Sequence, residues 1–202
     1  MSLLESLSKI RIIPVLAPAT VEEGITICRT LFENGLPAAE ITFRTEAAEG
    51  LIREVTRQFP EMHVGAGTVL NVKDLHRAFD AGARFGVAPG FNPTVVAEAK
   101  ACGFEFVPGV CTPSEIEQAY EAGCTLLKFF PAEASGGVAM LKALLAPYRH
   151  LGIRFMPTGG VKPNNARDYL AIPEVAAVGG TWLGKCTPEI VREAVAIANE
   201  MP

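Results

Sequence analysis

Apolar positions along this chain follow two rhythms that alternate from end to end. Short apolar or alternating runs bounded by Gly, Pro or Asn read as strands, and longer stretches with apolar residues three and four apart read as helices. The strand pattern occurs at Ile12–Leu16, Ala39–Phe43, His63–Ala66, Phe85–Ala88, Glu105–Val107, Leu126–Phe129, Arg154–Met156 and Val175–Val178. A helical pattern follows each. The first of these, Val21–Asn34, gathers Ile25, Cys28, Leu31 and Phe32 on one face. Starts are marked by Thr20 with Glu23 and Thr112 with Glu115, which fit capping boxes. Asn92-Pro93, Thr112-Pro113 and Thr187-Pro188 place proline at the first helical position. Ends are marked by Gly35, Gly82, Gly103 and Gly123.

Eight strand-helix units in succession predict an α/β protein of the (β/α)8 TIM barrel class. An extra N-terminal helix carrying Leu3, Leu4, Leu7 and Ile10 is placed to plug one end. An open doubly wound sheet is the alternative, but no G-x-G-x-x-G turn supports it. No linker or low-complexity stretch divides the chain, so residues 1–202 are expected to form a single domain.

The net charge of -4 argues against a nucleic-acid or anionic-membrane partner, so an anionic ligand needs a local site. Glu5, Lys9 and Arg11 interrupt any signal-peptide core, and no apolar run approaches about 18 residues, the length of a membrane span. The five cysteines form no CxxC pair, which predicts reduced thiols and a cytoplasmic location. His63, His76 and His150 are scattered without metal-ligand spacing, so neither metal nor other cofactor is expected.

One residue breaks the apolar rhythm. Lys128 stands inside the run Leu126–Phe130, and an ammonium group is costly to bury unless it is paired or neutralised. Strand parity suggests what it meets. In "AAEITFR", Ala39, Ile41 and Phe43 share one face, and Glu40, Thr42 and Arg44 the other. The apolar face must meet the helices, so Glu40 and Arg44 point inward. By the same rule Lys128 points inward with Leu126 and Phe130. A structural ion pair between Glu40 and Lys128 or Arg44 is one reading. The other is nucleophilic: desolvation disfavours a charged amine, and a neutral lysine can attack a ketone to form a Schiff base. The iminium then stabilises a carbanion on the adjacent carbon, and Glu40 is the carboxylate placed to move protons.

Two glycine pairs supply the second clue. Thr158-Gly159-Gly160 and Gly179-Gly180-Thr181 lie at the ends of the last two strand candidates. Phosphate groups bind there in such barrels, where backbone N–H groups beside small residues reach the oxygens. Tight turns that merely need glycine are the plainer explanation. Thr68 in "GAGTV" sits at the rim as a candidate hydroxyl donor. Pro89-Gly90 reads as shape, and Trp182 and Tyr148 as packing.

With these residues in view, the chain resembles the 2-keto-3-deoxy-6-phosphogluconate (KDPG) / 4-hydroxy-2-oxoglutarate (KHG) aldolases. The likeness runs through "PVLA", "AEITFRTEAA", "GAGTVL", "APGFNP", "PGVCTPSEIE", "LLKFFPAEASGG", "MPTGGV" and "GGTWL". It implies a class I, Schiff-base aldolase on a (β/α)8 barrel, homotrimeric, acting on a small phosphorylated 2-keto acid and pyruvate without cofactor. Position by position, it implies Lys128 as the Schiff-base lysine and Glu40 as the acid/base group. Arg44 and Thr68 would hold the pyruvate carboxylate, with Phe130 as an aromatic wall. Thr158, Gly159, Gly160, Gly180 and Thr181 would receive the hydroxyl and phosphate end, and Pro89 completes the substrate-binding set. Ala88 departs from the Thr or Ser of many relatives, and the connector Leu183–Thr187 is short. The expected reaction is reversible cleavage of KDPG to pyruvate and glyceraldehyde 3-phosphate, with KHG cleavage to pyruvate and glyoxylate using the same parts. The rivals are another phosphosugar barrel enzyme and a non-catalytic binding protein for a phosphorylated keto acid.

Overall fold

A computed structural model describes residues 2–200. Residue 1 and residues 201–202 of the expected 1–202 domain lie outside the described residues. The strands are β1 (Ile12–Leu16), β2 (Ala38–Thr42), β3 (His63–Gly67), β4 (Phe85–Val87), β5 (Glu105–Val107), β6 (Gly109–Val110), β7 (Leu126–Phe129), β8 (Arg154–Phe155) and β9 (Val178–Gly180). The helices are α1 (Leu3–Ile10), α2 (Val21–Glu33), α3 (Ala48–Gln58), α4 (Val72–Asp80), α5 (Pro93–Ala101), α6 (Pro113–Glu121), α7 (Gly137–Leu145), α8 (Pro163–Leu170) and α9 (Pro188–Asn199).

Every strand pairing is parallel. One sheet runs β5-β4-β3-β2-β1-β9 and the other β6-β7-β8. Two features join them into a curled sheet. β6 continues β5 across Pro108, whose carbonyl accepts from Lys128 N at 2.8 Å. On the other side, parallel bridges Phe155↔Val175 and Thr158↔Gly179 carry the β8 edge to β9. Helices cover the outer face, as parallel sheets require.

The apolar residues divide by parity into two clusters. Ala39 and Ile41 of β2 and Leu127 and Phe129 of β7 pack outward with the helices. Ala38, Leu126, Ile13, Phe85, Val107 and Met156 pack in a separate inner cluster, against which Leu7 of α1 closes with Leu3, Leu4 and Ile10. Full burial of one such side chain contributes about 1.5–3 kcal/mol, so the inner cluster fixes the N-terminal half of the sheet interior. The C-terminal half is left for polar side chains.

Caps place the helices as the sequence predicts, with one difference. Thr112 and Glu115 form a reciprocal capping box. Thr20 accepts from Glu23 N at 3.2 Å, but the Glu23 carboxylate takes Ala19 N at 2.9 Å, one residue before the cap. Gly35, Gly82, Gly103 and Gly123 all adopt positive φ after their helices.

Two strand expectations are corrected. The expected strand Val175–Val178 lies at Val178–Gly180, so Gly179 and Gly180 are strand residues rather than the turn beyond it. Val175 contributes only an isolated bridge to Phe155. The cause is close packing: a Cβ on Gly179 would strike the Thr158 hydroxyl, and one on Gly180 the Trp182 ring. The second correction is β6, an additional two-residue strand after Pro108, which has no N–H to continue the ladder.

Candidate active site

β2 and β7 bring the two buried charges together. Lys128 is 5% exposed and Glu40 1% exposed. Lys128 Nζ donates to Glu40 Oε1 at 3.0 Å and lies 3.4 Å from Oε2. It also lies 5.4 Å from the centroid of the Phe130 ring. The pair meets across 88 residues of sequence because both side chains take the inward parity of their strands. Room for the carboxylate is made by β3: a Cβ on Gly67 would fall on the Glu40 carboxyl group. Any larger residue there would displace Glu40 or shift the strand.

These groups open into a cavity of about 250 Å³. All eleven residues singled out in the sequence line it: Lys128, Glu40, Arg44, Thr68, Pro89, Phe130, Thr158, Gly159, Gly160, Gly180 and Thr181. Val15 and Thr42 line it as well and were not singled out. Parity places Thr42 in the row of Glu40 and Arg44, which was the available signal. Val15 lies in a strand buried at every position, so no pattern could choose its face.

The pyruvate-end candidates surround the buried pair. Arg44 stands two residues beyond β2, in a turn rather than in the strand, and its side chain is exposed. Its Nε donates to Thr42 Oγ1 at 3.3 Å, and Thr42 Oγ1 donates to Leu16 O at 3.0 Å. Thr68 follows β3 with φ 59°. A β-branched residue in the left-handed region costs on the order of 1–3 kcal/mol, and such strain gathers at sites where backbone geometry is imposed by the surroundings. The cavity thus holds two cationic side chains and one carboxylate, a balance suited to an anionic ligand.

The far end is built from turns. Gly159 and Gly160 have φ 98° and 83°, values that L side chains rarely adopt. Two backbone bonds tie this turn to the segment after β7: Ala132 N to Thr158 O at 2.8 Å and Glu133 N to Gly159 O at 3.0 Å. Glu133 in turn accepts from the Tyr169 hydroxyl. Burial, with Glu133 adding to it, pushes the Tyr169 phenol well above its ordinary value, so it remains a donor. Thr158 is buried, and its hydroxyl lies 3.4 Å from Met156 O. Thr181 is exposed where the chain leaves β9.

Other sequence expectations fall elsewhere. Tyr148 donates to Glu117 at 2.8 Å, and Trp182 packs on the outer core. His76 pairs with Glu98 at 3.0 Å, while the five cysteines are free. Among the described residues no three His, Cys, Asp or Glu side chains gather, and no helix is long and apolar enough to cross a membrane.

Known proteins match this sequence and this fold along nearly the whole chain. The sequence is 47% identical to a 2-dehydro-3-deoxy-phosphogluconate aldolase of Haemophilus influenzae over 180 residues, 89% of this chain and 84% of that one. The fold matches the 2-keto-3-deoxy-6-phosphogluconate aldolase of Zymomonas mobilis ZM4, solved with 3-phosphoglycerate. That match has a TM-score of 0.86 and 35% identity, covering 98% of this chain and 93% of the other. It also matches a KDPG aldolase of Legionella pneumophila, in which pyruvate was captured at low pH as a covalent carbinolamine. There the TM-score is 0.87 at 29% identity, over 99% and 98% of the two chains. The sequence model described as "KDPG and KHG aldolase" matches residues 3–196. The chain therefore belongs to the KDPG and KHG aldolase family.

Proposed function

We propose that this protein is a class I aldolase that cleaves KDPG reversibly to pyruvate and glyceraldehyde 3-phosphate through a Schiff base on Lys128. The observation that carries the reading is the 3.0 Å contact of Lys128 Nζ with Glu40 Oε1 inside the cavity. A hydrogen bond of that length lets the carboxylate take a proton from the ammonium and leave a nucleophilic amine. The amine attacks the C2 ketone to give a carbinolamine, and Glu40 gives its proton to the departing hydroxyl, so that water leaves and an iminium stands beside the regenerated carboxylate. The Glu40 carboxylate then accepts the C4 hydroxyl proton. The C3–C4 bond breaks, its electrons move into the iminium to form an enamine, and C4 leaves as the aldehyde. Glu40 returns its proton to C3, and water releases pyruvate and free lysine. Atoms balance without an external oxidant or reductant.

In this reading the Arg44 guanidinium and the Thr68 hydroxyl hold the carboxylate beside the ketone, while Phe130 and Pro89 wall the pocket. Thr158, Gly159, Gly160, Gly180 and Thr181 receive the hydroxyl and phosphate end. KHG cleavage is a second reaction of the same site, because the keto-acid end that Lys128 and Glu40 handle is common to both substrates. The curled sheet is read as a closed eight-stranded barrel, with β5 and β6 as one strand interrupted at Pro108 and α1 plugging the N-terminal end. One domain, a homotrimer and a cytoplasmic location complete the proposal, the last supported by the free cysteines.

The test is direct turnover. Purified protein given KDPG should release pyruvate, read continuously by lactate dehydrogenase, in equal amount with glyceraldehyde 3-phosphate. Binding of KDPG without pyruvate release would leave a binding protein. Isomerisation without cleavage would leave another phosphosugar enzyme.

A further inference from the structure

We infer that Thr42 is a positioning residue that sets which edge of the Arg44 guanidinium meets the substrate carboxylate, an inference that rests on the aldolase reading above. A threonine hydroxyl carries one proton and can accept through its lone pairs. Leu16 O, 3.0 Å from Thr42 Oγ1, is a carbonyl and can only accept, so the single proton of Thr42 goes there. Toward Arg44, Thr42 Oγ1 can then only accept, and at 3.3 Å it takes the Nε proton. With Nε engaged, Arg44 presents the two terminal nitrogens as its free fork. A carboxylate is therefore met end-on, by Nη1 and Nη2, rather than from the side by Nε and one Nη.

Burial makes the device effective. Thr42 is 2% exposed and fixed in β2, in register with Gly67 of β3, whereas Arg44 is exposed and lies in a turn. A long exposed side chain otherwise has to be immobilised when ligand binds. The Leu16–Thr42–Arg44 relay meets that cost in the folded protein, before the keto acid arrives. Thr42 also shares the inward face of β2 with Glu40, so the strand that places the proton-transfer group also places the acceptor that holds Arg44.

The experiment compares Thr42→Val, which keeps the branched shape without the hydroxyl, with Thr42→Ser, which keeps the hydroxyl. Borohydride trapping is followed as a function of pyruvate concentration, with acetone, a ketone lacking the carboxylate, as the second probe. Thr42→Val should raise the half-saturating pyruvate concentration by about three- to tenfold, the range for immobilising one rotamer-rich side chain. Thr42→Ser should restore most of the loss, and acetone trapping should be equal in all three proteins. Unchanged pyruvate dependence in Thr42→Val overturns the positioning role alone. Equal proportional loss with pyruvate and acetone also overturns it, because a general structural defect would then suffice. Failure of the wild-type protein to trap pyruvate at all overturns the Schiff-base reading, and this inference with it.

Discussion

Lys128→Met strands a buried carboxylate, and the cost is large enough to measure. Exposed ion pairs contribute only about 0–1 kcal/mol. The Lys128 and Glu40 side chains are 6% and 1% exposed, which puts this pair in the other regime. Removing one partner of a buried pair costs about 3–5 kcal/mol, because the remaining buried charge loses the counter-ion in contact with it. Domains of ordinary stability, about 5–15 kcal/mol, survive such a loss, so the variant should fold but unfold at markedly lower urea. Glu40→Gln in the Lys128→Met background removes the stranded charge and should recover at least about 2 kcal/mol, making the two substitutions non-additive. Urea denaturation of wild type, both single variants and the double variant closes the cycle. A double variant whose loss equals the sum of the single losses would refute the buried coupling. So would a Lys128→Met protein destabilised by no more than a surface pair.

Other consequences are checked independently. Glu40→Gln keeps the shape of the carboxylate but not its proton exchange, and turnover should fall by about 10²–10⁴-fold; near wild-type turnover would assign the proton transfer to another group. Thr181→Glu places a negative charge at the proposed phosphate end on a residue of ordinary negative φ, unlike Gly160, where a side chain would also strike Glu133. It should lower kcat/KM for KDPG while leaving pyruvate trapping unchanged, and equal loss in both assays would place the phosphate elsewhere. Burial, and secondarily the Arg84 cation, holds the His63 imidazole below its ordinary value of 6.5. The unfolded chain then binds a proton that the folded chain does not, so stability should fall as pH drops through 6.5 toward the lowered value. His63→Gln should flatten that slope below pH 6.5, and an unchanged slope would assign it to other groups.

The features readable in the sequence were those set by local geometry. Period-two alternation in "AAEITFR" and "LLKFF" put Glu40 and Lys128 on inward faces, because a strand's side chains alternate whatever its partners are. Glycine after a helical pattern marked the turns at Gly35, Gly82, Gly103 and Gly123 for a similarly local reason. The failures were matters of distant contact. The run Val175–Val178 reads as a strand because its valines favour one and the glycines beyond it do not. Yet Gly179 and Gly180 occupy β9, where the lack of a Cβ clears Thr158 and Trp182. Gly67, one position past the expected strand His63–Ala66, makes space for a carboxyl group 27 positions earlier in the chain. Thr42 gave no sign of its link to Leu16 O, which lies 26 positions away and exists only once β1 and β2 pair.

The central claim is that Lys128 forms the covalent bond to substrate. Incubation with pyruvate and borohydride, followed by proteolysis and mass spectrometry of the peptides, tests it most directly. The reduced pyruvyl adduct should appear on the peptide containing Lys128 and be absent from the Lys128→Met protein. An adduct on Lys142 or Lys162 instead, or no adduct on any lysine, would contradict the account.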